Sequence, residues 1–290
     1  MQYHVNGSLV DRADAVVSVD DRGFRYGDGA FETTRVYGGE VFAWERHRAR
    51  LERSCATLGM AEAVPADLES RIDATLRANE LAEAYCRVTI SRGVQPGKLT
   101  PGPAVEPTVV VTVSELPPGG LGGGKSWEQP ATVESVETRR IPDVALPADA
   151  KTLNYLNGIL ARLELRRGAA EGPPADEALV CTTEGALAEG ATSNVFFVAD
   201  GTLCTPTTED LLPGVTREIV LELAAQESFP VEEGVYSPAR LRDAEEAFLT
   251  NSTWELRPIA SLDGHTIGGG PITSLLTRLY ERRVATACYG

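Results

Sequence analysis

The chain has 290 residues, and its 42 acidic against 27 basic side chains give a formal charge of −15, which excludes recognition of nucleic acid through phosphate contacts because each such contact needs a cation. A hydrophobic fraction of 42% supplies a full core and excludes a disordered or disulfide-stapled peptide, and the length fits one large or two medium domains. Apolar runs such as 109–113 and 195–198 fall far short of the roughly 18 residues of a membrane span, and residues 1–7 lack the basic and apolar regions of a signal peptide, so a soluble cytoplasmic protein is expected.

In chain order, Asn6-Gly7 predicts a tight hairpin, and Gly38-Gly39 a second. Leu51, Cys55 and Leu58 recur at helical spacing over 46–59, as do Leu68, Ile72 and Leu76 over 66–80. Residues 85–91 and 108–113 read as strands, the second so rich in β-branched residues that it is predicted to be central. Between them, the Gly- and Pro-containing stretch 93–107 is a long loop, a length more often functional than idle. The run Pro-Pro-Gly-Gly-Leu-Gly-Gly-Gly opens a linker over 117–125, dividing an N-terminal domain, 1–116, from a C-terminal domain, 126–290. Leu153, Leu156, Ile159, Leu160 and Leu163 then form a helical stripe that ends at Gly168. Strands follow at 177–182, 194–198, 202–205 and 246–250, with a third hairpin at Asp200-Gly201 and helices after Pro213-Gly214 and Pro271. The pattern is that of a two-domain α/β (α+β) protein.

The five cysteines, Cys55, Cys86, Cys181, Cys204 and Cys288, are scattered and never form a CxxC pair, so neither a metal site nor a disulfide framework is expected. Lysine occurs only at positions 98, 125 and 151. An acidic surface this poor in lysine suits a salt-rich cytoplasm, a halophilic trait; a GC-rich genome that favours arginine codons accounts for part of the same pattern. Lys151, at the mouth of a helix, is either a solvated helix-start residue or a desolvated amine suited to Schiff-base chemistry. The segment 212–219 places a Pro-Gly turn, Val215 and Thr216 at a helix N-terminus, where amides attract phosphate. Thr250-Asn251-Ser252-Thr253 ends a strand with four small polar side chains, and Arg50 shares a helix face with His47 and Leu51. Each has a plain structural alternative. Glu189 is either a loop acid or the partner of a pyridine nitrogen.

Taken in order, residues 19–32 (Val-Asp-Asp-Arg-Gly-Phe-Arg-Tyr-Gly-Asp-Gly-Ala-Phe-Glu), His47-Arg48-Ala49-Arg50-Leu51, Lys151-Thr152-Leu153-Asn154-Tyr155-Leu156, 189–196 and 212–217 resemble the class IV aminotransferases of fold type IV. That group holds branched-chain and D-amino-acid aminotransferases, (R)-amine transaminases and 4-amino-4-deoxychorismate lyase. The resemblance implies an N-terminal α/β sandwich, a C-terminal domain built on a β-pseudobarrel, a homodimer, and pyridoxal 5'-phosphate as cofactor. It makes Lys151 the Schiff-base lysine, Glu189 the partner of the pyridine nitrogen, and Arg50, Val215, Thr216, Asn251 and Ser252 the phosphate cup. Tyr155 would bond the phenolic oxygen. Tyr85-Cys86-Arg87 resembles the Tyr-x-Arg that holds a substrate carboxylate in branched-chain enzymes, with Tyr26, Phe31 and Arg35 where that group lines its side-chain pocket.

The expected reaction is transfer of an amino group from a branched-chain or otherwise apolar L-amino acid to a 2-oxo acid such as 2-oxoglutarate. Ile90-Ser91-Arg92-Gly93 and the Lys-x-x-Asn spacing resemble the lyase, the second reading. A D-amino-acid or (R)-amine transaminase comes third, since 93–107 lacks the Arg-x-His of D-amino-acid enzymes. A silent, scaffold-like member of the family is the rival from another class.

Overall fold

The computed structural model describes residues 1–116, 129–168 and 174–290; the expected linker over 117–125 lies outside the described residues. The chain forms two compact units, Met1–Gly123 with Ala150–Asn154 and Ala287–Gly290, and Gly124–Asp149 with Tyr155–Thr286. Thus 150–154 and 287–290, which the sequence boundary assigns to the C-terminal domain, pack with the first unit.

The first unit holds β1 (Gln2–Val5), β2 (Ser8–Asp11), α1 (Arg22–Tyr26), β3 (Gly29–Tyr37), β4 (Glu40–Val41), α2 (Trp44–Thr57), α3 (Leu68–Ala78), β5 (Ala84–Ser91) and β6 (Thr108–Glu115). Its six strands run in the order β2-β1-β6-β5-β3-β4, and every pairing is antiparallel. The two predicted hairpins form because Asn6, Gly7, Gly38 and Gly39 all take positive φ, as two-residue turns between twisted strands require. β6 is central, as its β-branched run predicts. Alternation along β5 and β6 sends Cys86, Val88, Ile90, Val109, Val111 and Val113 to one face, where they bury against Leu51 and Cys55 of α2 and Leu68, Ile72 and Leu76 of α3. Burial pushes the Cys55 and Cys86 thiols up to about 12, so both are packing groups rather than reactive ones. On the other face Tyr85, Arg87, Thr89, Val110, Thr112 and Ser114 are half-buried.

The second unit holds β7 (Ala131–Arg139), α4 (Leu156–Gly168), β8 (Glu177–Cys181), β9 (Leu187–Gly190), β10 (Asn194–Ala199), β11 (Thr202–Pro206), α5 (Val215–Gln226), β12 (Val231–Gly234), α6 (Pro238–Arg242), β13 (Glu246–Asn251), β14 (Glu255–Leu262), β15 (His265–Thr266) and most of α7 (Pro271–Cys288). The strands follow the path β12-β11-β10-β13-β14-β7-β8-β9, with β15 on β14. β9, at one end of the path, also packs against β10 and β11 near the other, so the sheet curls back on itself as a pseudobarrel. Val133, Leu179, Val195, Phe197, Leu249 and Ile259 fill it.

One helix departs from its sequence reading. On α4 the buried residues are Ala161 and Leu165, whereas Leu156, Ile159, Leu160 and Leu163 are exposed, the first two at 63% and 53%. At 100° per residue the two sets lie on opposite sides of the helix. The predicted stripe is therefore not the face that this chain buries.

Candidate active site

In the first unit Lys151, the candidate Schiff-base residue, is held by strand-like pairing. Thr152 bridges Ala30 of β3, the Phe31 N–H donates to Lys151 O at 3.0 Å, and the Leu153 N–H donates to Gly29 O at 2.8 Å. Glycine is required at 29, because a Cβ there would stand 2.4 Å from Ile90 O and 2.8 Å from the Leu153 side chain. The paired strap holds the Lys151 Nζ 4.6 Å from the centroid of the Phe31 ring, within the range of a cation–π contact. The Arg87 guanidinium lies on the same ring at 3.7 Å. Register explains this meeting: Phe31, Thr33 and Arg35 of β3 face Thr89, Arg87 and Tyr85 of β5, so all six side chains project from one face. Arg87 Nε donates to Thr89 Oγ1, and the Tyr85 hydroxyl is 3.5 Å from Thr33 Oγ1. Arg35 is 1% exposed, its guanidinium stacked on Tyr37 at 4.7 Å. Tyr26 lies in α1 with the guanidinium groups of Arg22 and Arg25 over its ring; its described ring contacts are with these, not with Lys151 or Phe31.

Glu32, next to Phe31 on β3, projects to the opposite face. Its fully buried carboxylate receives Arg50 Nε at 2.7 Å and Nη2 at 2.8 Å, and His47 Nδ1 at 2.8 Å. Burial pushes the Glu32 carboxyl up, but the charge and hydrogen bonds of Arg50, joined by His47, outweigh it and hold the group well below the ordinary range. Burial pulls His47 below its ordinary value, and Glu32 opposes that only in part. A carboxylate only accepts, so neutral His47 donates from Nδ1. Two of the nitrogens of Arg50 are therefore already fixed by Glu32. Ser54, on the same helix and fully buried, accepts the Lys151 N–H at 2.9 Å.

The second unit carries its own set. Glu189 on β9 pairs with Arg140 Nε at 2.8 Å through one carboxylate oxygen and accepts the Leu212 N–H at 3.3 Å through the other. Asn194 Nδ2 bonds Leu212 O at 3.0 Å and touches Glu189 at 3.5 Å. Gly214 precedes α5, and a Cβ there would meet Asn194 Oδ1 at 2.0 Å; the close approach fixes the start of the helix beside Asn194. Val215 and Thr216, both buried, open α5 with no side-chain cap. Thr250, paired in register with Asn194, has a buried hydroxyl without a hydrogen-bond partner among the described residues. Asn251 Oδ1 accepts the Thr253 N–H, the Thr253 hydroxyl and the Trp254 N–H, and its amide donates to Thr192 O. Its side chain is thus committed to the turn in which Ser252 sits. Tyr155 lines a cavity of about 360 Å³ with Gly158, Arg162, Ala191 and Thr192.

Sequence reasoning missed the roles of Glu32, Asn194, Ser54 and Arg140. The first two lie inside motifs already noted for other residues, and a carboxylate directly after Ala30-Phe31 in a strand is itself a signal. Neither Ser54 nor Arg140 has a local one, because their partners are 97 and 49 positions away.

Residues 29–262 match the family model for amino-transferase class IV. A Methanocaldococcus jannaschii protein provisionally named branched-chain-amino-acid aminotransferase is 36% identical over 287 residues, covering 97% of this chain and 95% of its own. An aminodeoxychorismate lyase of Bacillus subtilis is 32% identical, covering 97% and 94%, and a D-alanine aminotransferase of Listeria innocua is 30% identical, covering 99% and 98%. Among solved structures, the branched-chain aminotransferase of the archaeon Thermoproteus uzoniensis with norvaline superposes with a TM-score of 0.86 at 30% identity, covering 97% of this chain and 94% of that one. Another branched-chain aminotransferase of similar fold holds pyridoxamine 5'-phosphate.

Proposed function

This chain belongs to the class IV aminotransferase family, and on that premise we propose that it moves the amino group of a branched-chain or otherwise apolar L-amino acid to a 2-oxo acid such as 2-oxoglutarate. The observation that carries this reading is the shared ring of Phe31, with the amine of Lys151 and the guanidinium of Arg87 both on it. A proton-moving amine and a carboxylate-binding cation at one place are what an amino-acid substrate needs.

Enzymes of the family use pyridoxal phosphate, and the residues present fit it. The first turn of α5 offers amides that the helix cannot use itself, and the buried, unpartnered Thr250 hydroxyl lies on β13 beside Asn194. Together they form a donor set suited to a phosphate. Val215, Thr216, Asn251, Ser252 and Arg50 would hold that group, with Asn251 acting through its turn rather than its committed side chain. Glu189 would keep a proton on the pyridine nitrogen, and Tyr155 would bond the phenolic oxygen. When bound, the cofactor supplies a carbonyl carbon that condenses with amines and a protonated ring that draws electrons away from the substrate Cα. Lys151 would take the proton from that Cα and return it on the other side of the exchange, as base and then acid. Arg87 and Tyr85 would hold the α-carboxylate, with Phe31, Tyr26 and the buried Arg35 shaping the side-chain pocket.

The exposed apolar side of α4, from Leu156 to Leu163, supports a homodimer, since a helix face of this kind is ordinarily covered. Among the described residues no helix is long and apolar enough to cross a membrane; a cytoplasmic, salt-adapted enzyme remains the proposal from composition. The lyase is the second reading. Arg92, in the segment that resembles the lyase, commits its guanidinium to Asp28 and to Leu58 O, so it serves the fold in either reading. The deciding experiment supplies L-leucine with 2-oxoglutarate and, separately, D-alanine with 2-oxoglutarate, and aminodeoxychorismate alone. Glutamate formed from the L-substrate is expected. Faster pyruvate and 4-aminobenzoate release establishes the lyase, preference for D-alanine the D-specific enzyme, and a colourless, inactive protein the silent member.

A further inference from the structure

Ser54 lies in the last turn of α2, fully buried, and its hydroxyl is used twice. It donates to Arg50 O one turn earlier at 2.8 Å, a common habit of serine within helices, and accepts the Lys151 N–H at 2.9 Å. The carbonyl of Lys151 is in turn bonded by the Phe31 N–H, and Glu32, the next residue on β3, grips the guanidinium of Arg50 through two hydrogen bonds. A closed circuit results, running Lys151, Ser54, Arg50, Glu32, Phe31 and back to Lys151. Ser54 is the member of it that joins the strap to α2.

The geometry points to Ser54 as a positioning residue that fixes the spacing between the Lys151 amine and the Arg50 guanidinium. The inference rests on the assignment of Lys151 and Arg50 to the aldehyde and phosphate ends of one cofactor. A molecule gripped at two ends gains from both grips only where their separation is set beforehand. Ser54 presets it through peptide groups on either side, without touching the cofactor itself.

The test compares pyridoxal phosphate with pyridoxal, which has the aldehyde but no phosphate, titrating each into apo-protein by quenching of tryptophan fluorescence. The measured quantity is the dissociation constant of pyridoxal divided by that of pyridoxal phosphate. Arg50→Ala should lower this ratio by removing the phosphate partner. Ser54→Ala should lower it roughly tenfold, the worth of one hydrogen bond, and adding Ser54→Ala to Arg50→Ala should lower it no further. Melting temperatures are taken alongside; if Ser54→Ala fails to fold, Ser54→Cys, with nearly the same volume and a weaker acceptor, carries the measurement and should give a smaller drop. An unchanged ratio in the Ser54 variants while Arg50→Ala lowers it, or an equal loss for both ligands, makes Ser54 merely structural and overturns the inference. If Arg50→Ala leaves the ratio unchanged, the phosphate assignment itself fails and the inference falls with it.

Discussion

The two units offer contrasting kinds of site. The first relies on side chains: Lys151, Arg87, Arg50, Glu32 and His47 are ionisable groups fixed by strand register and by one another. The second relies largely on backbone, with the first turn of α5, the Leu212 N–H and the Asn251 turn around a single carboxylate, Glu189. Side-chain sites can be retuned one residue at a time, whereas a site of amides tolerates substitution until a Cβ intrudes, as it would at Gly214. The contrast teaches that single side-chain substitutions should be felt most in the first unit, and backbone-altering ones in the second.

The largest effect should come from the first unit. Lys151→Ala should cut turnover by about a thousandfold or more and abolish the yellow colour of the purified protein, since Lys98, whose carbonyl Arg22 bonds, belongs to the 93–107 loop rather than the strap. Wild-type colour in that variant would end the assignment. Next, Glu32→Ala leaves a buried arginine without its acceptor, and urea unfolding should report a loss of about 3 to 5 kcal/mol. A smaller loss would mean that the circuit around Arg50 is solvated. Arg87→Ala should then discriminate between substrates: activity toward amino acids is expected to fall roughly ten- to a hundredfold, while an amine without a carboxylate loses little. Equal losses would turn Arg87 into a fold residue and leave substrate choice unassigned in this unit.

The smallest effect is one of pH. His4 and His47, the two buried histidines, both lie in the first unit, and burial holds each below its ordinary value. The unfolded chain therefore takes up protons first as the pH falls, so the stability present above about 6.5 is lost progressively from there toward the lower folded values. The second unit has only His265, which is exposed. Between about pH 6.5 and 5, hydrogen-exchange protection factors, which correct for the intrinsic pH dependence of amide exchange, should fall in peptides from β1 and α2 and remain steady in β10 and β13. A fall in both units alike would erase this difference between them.

Much of the fold is legible in the sequence because the signals are local. Asn6-Gly7, Gly38-Gly39 and Asp200-Gly201 each encode a positive-φ turn, and α2 and α3 bury the face that their periodicity marks. Two of the strands not foreseen present side chains to water: β7 carries Glu134, Ser135 and Glu137 outward, and Val231, Glu232 and Glu233 of β12 are exposed. Two others are mostly buried, β9 being only four residues long and β14 containing Pro258, a residue that argues against a strand. On α4 periodicity misleads, for its apolar residues occupy two sides and the side with fewer of them, Ala161 and Leu165, is the buried one. The site divides in the same way. Lys151 and Glu189 stand within recognisable motifs, but Ser54 and Arg140 act through partners brought near only by folding.

The strap that delivers Lys151 also lies where β3 would otherwise present bare main chain, for β4 pairs with β3 only at Val36 and Tyr37, and Thr152 bridges it at Ala30. An uncovered strand edge is a template for pairing with other chains. The segment that carries the chemistry is therefore also a guard against aggregation. A molecule whose strap has come away loses its reactive amine and, in the same event, offers the far half of β3 to its neighbours.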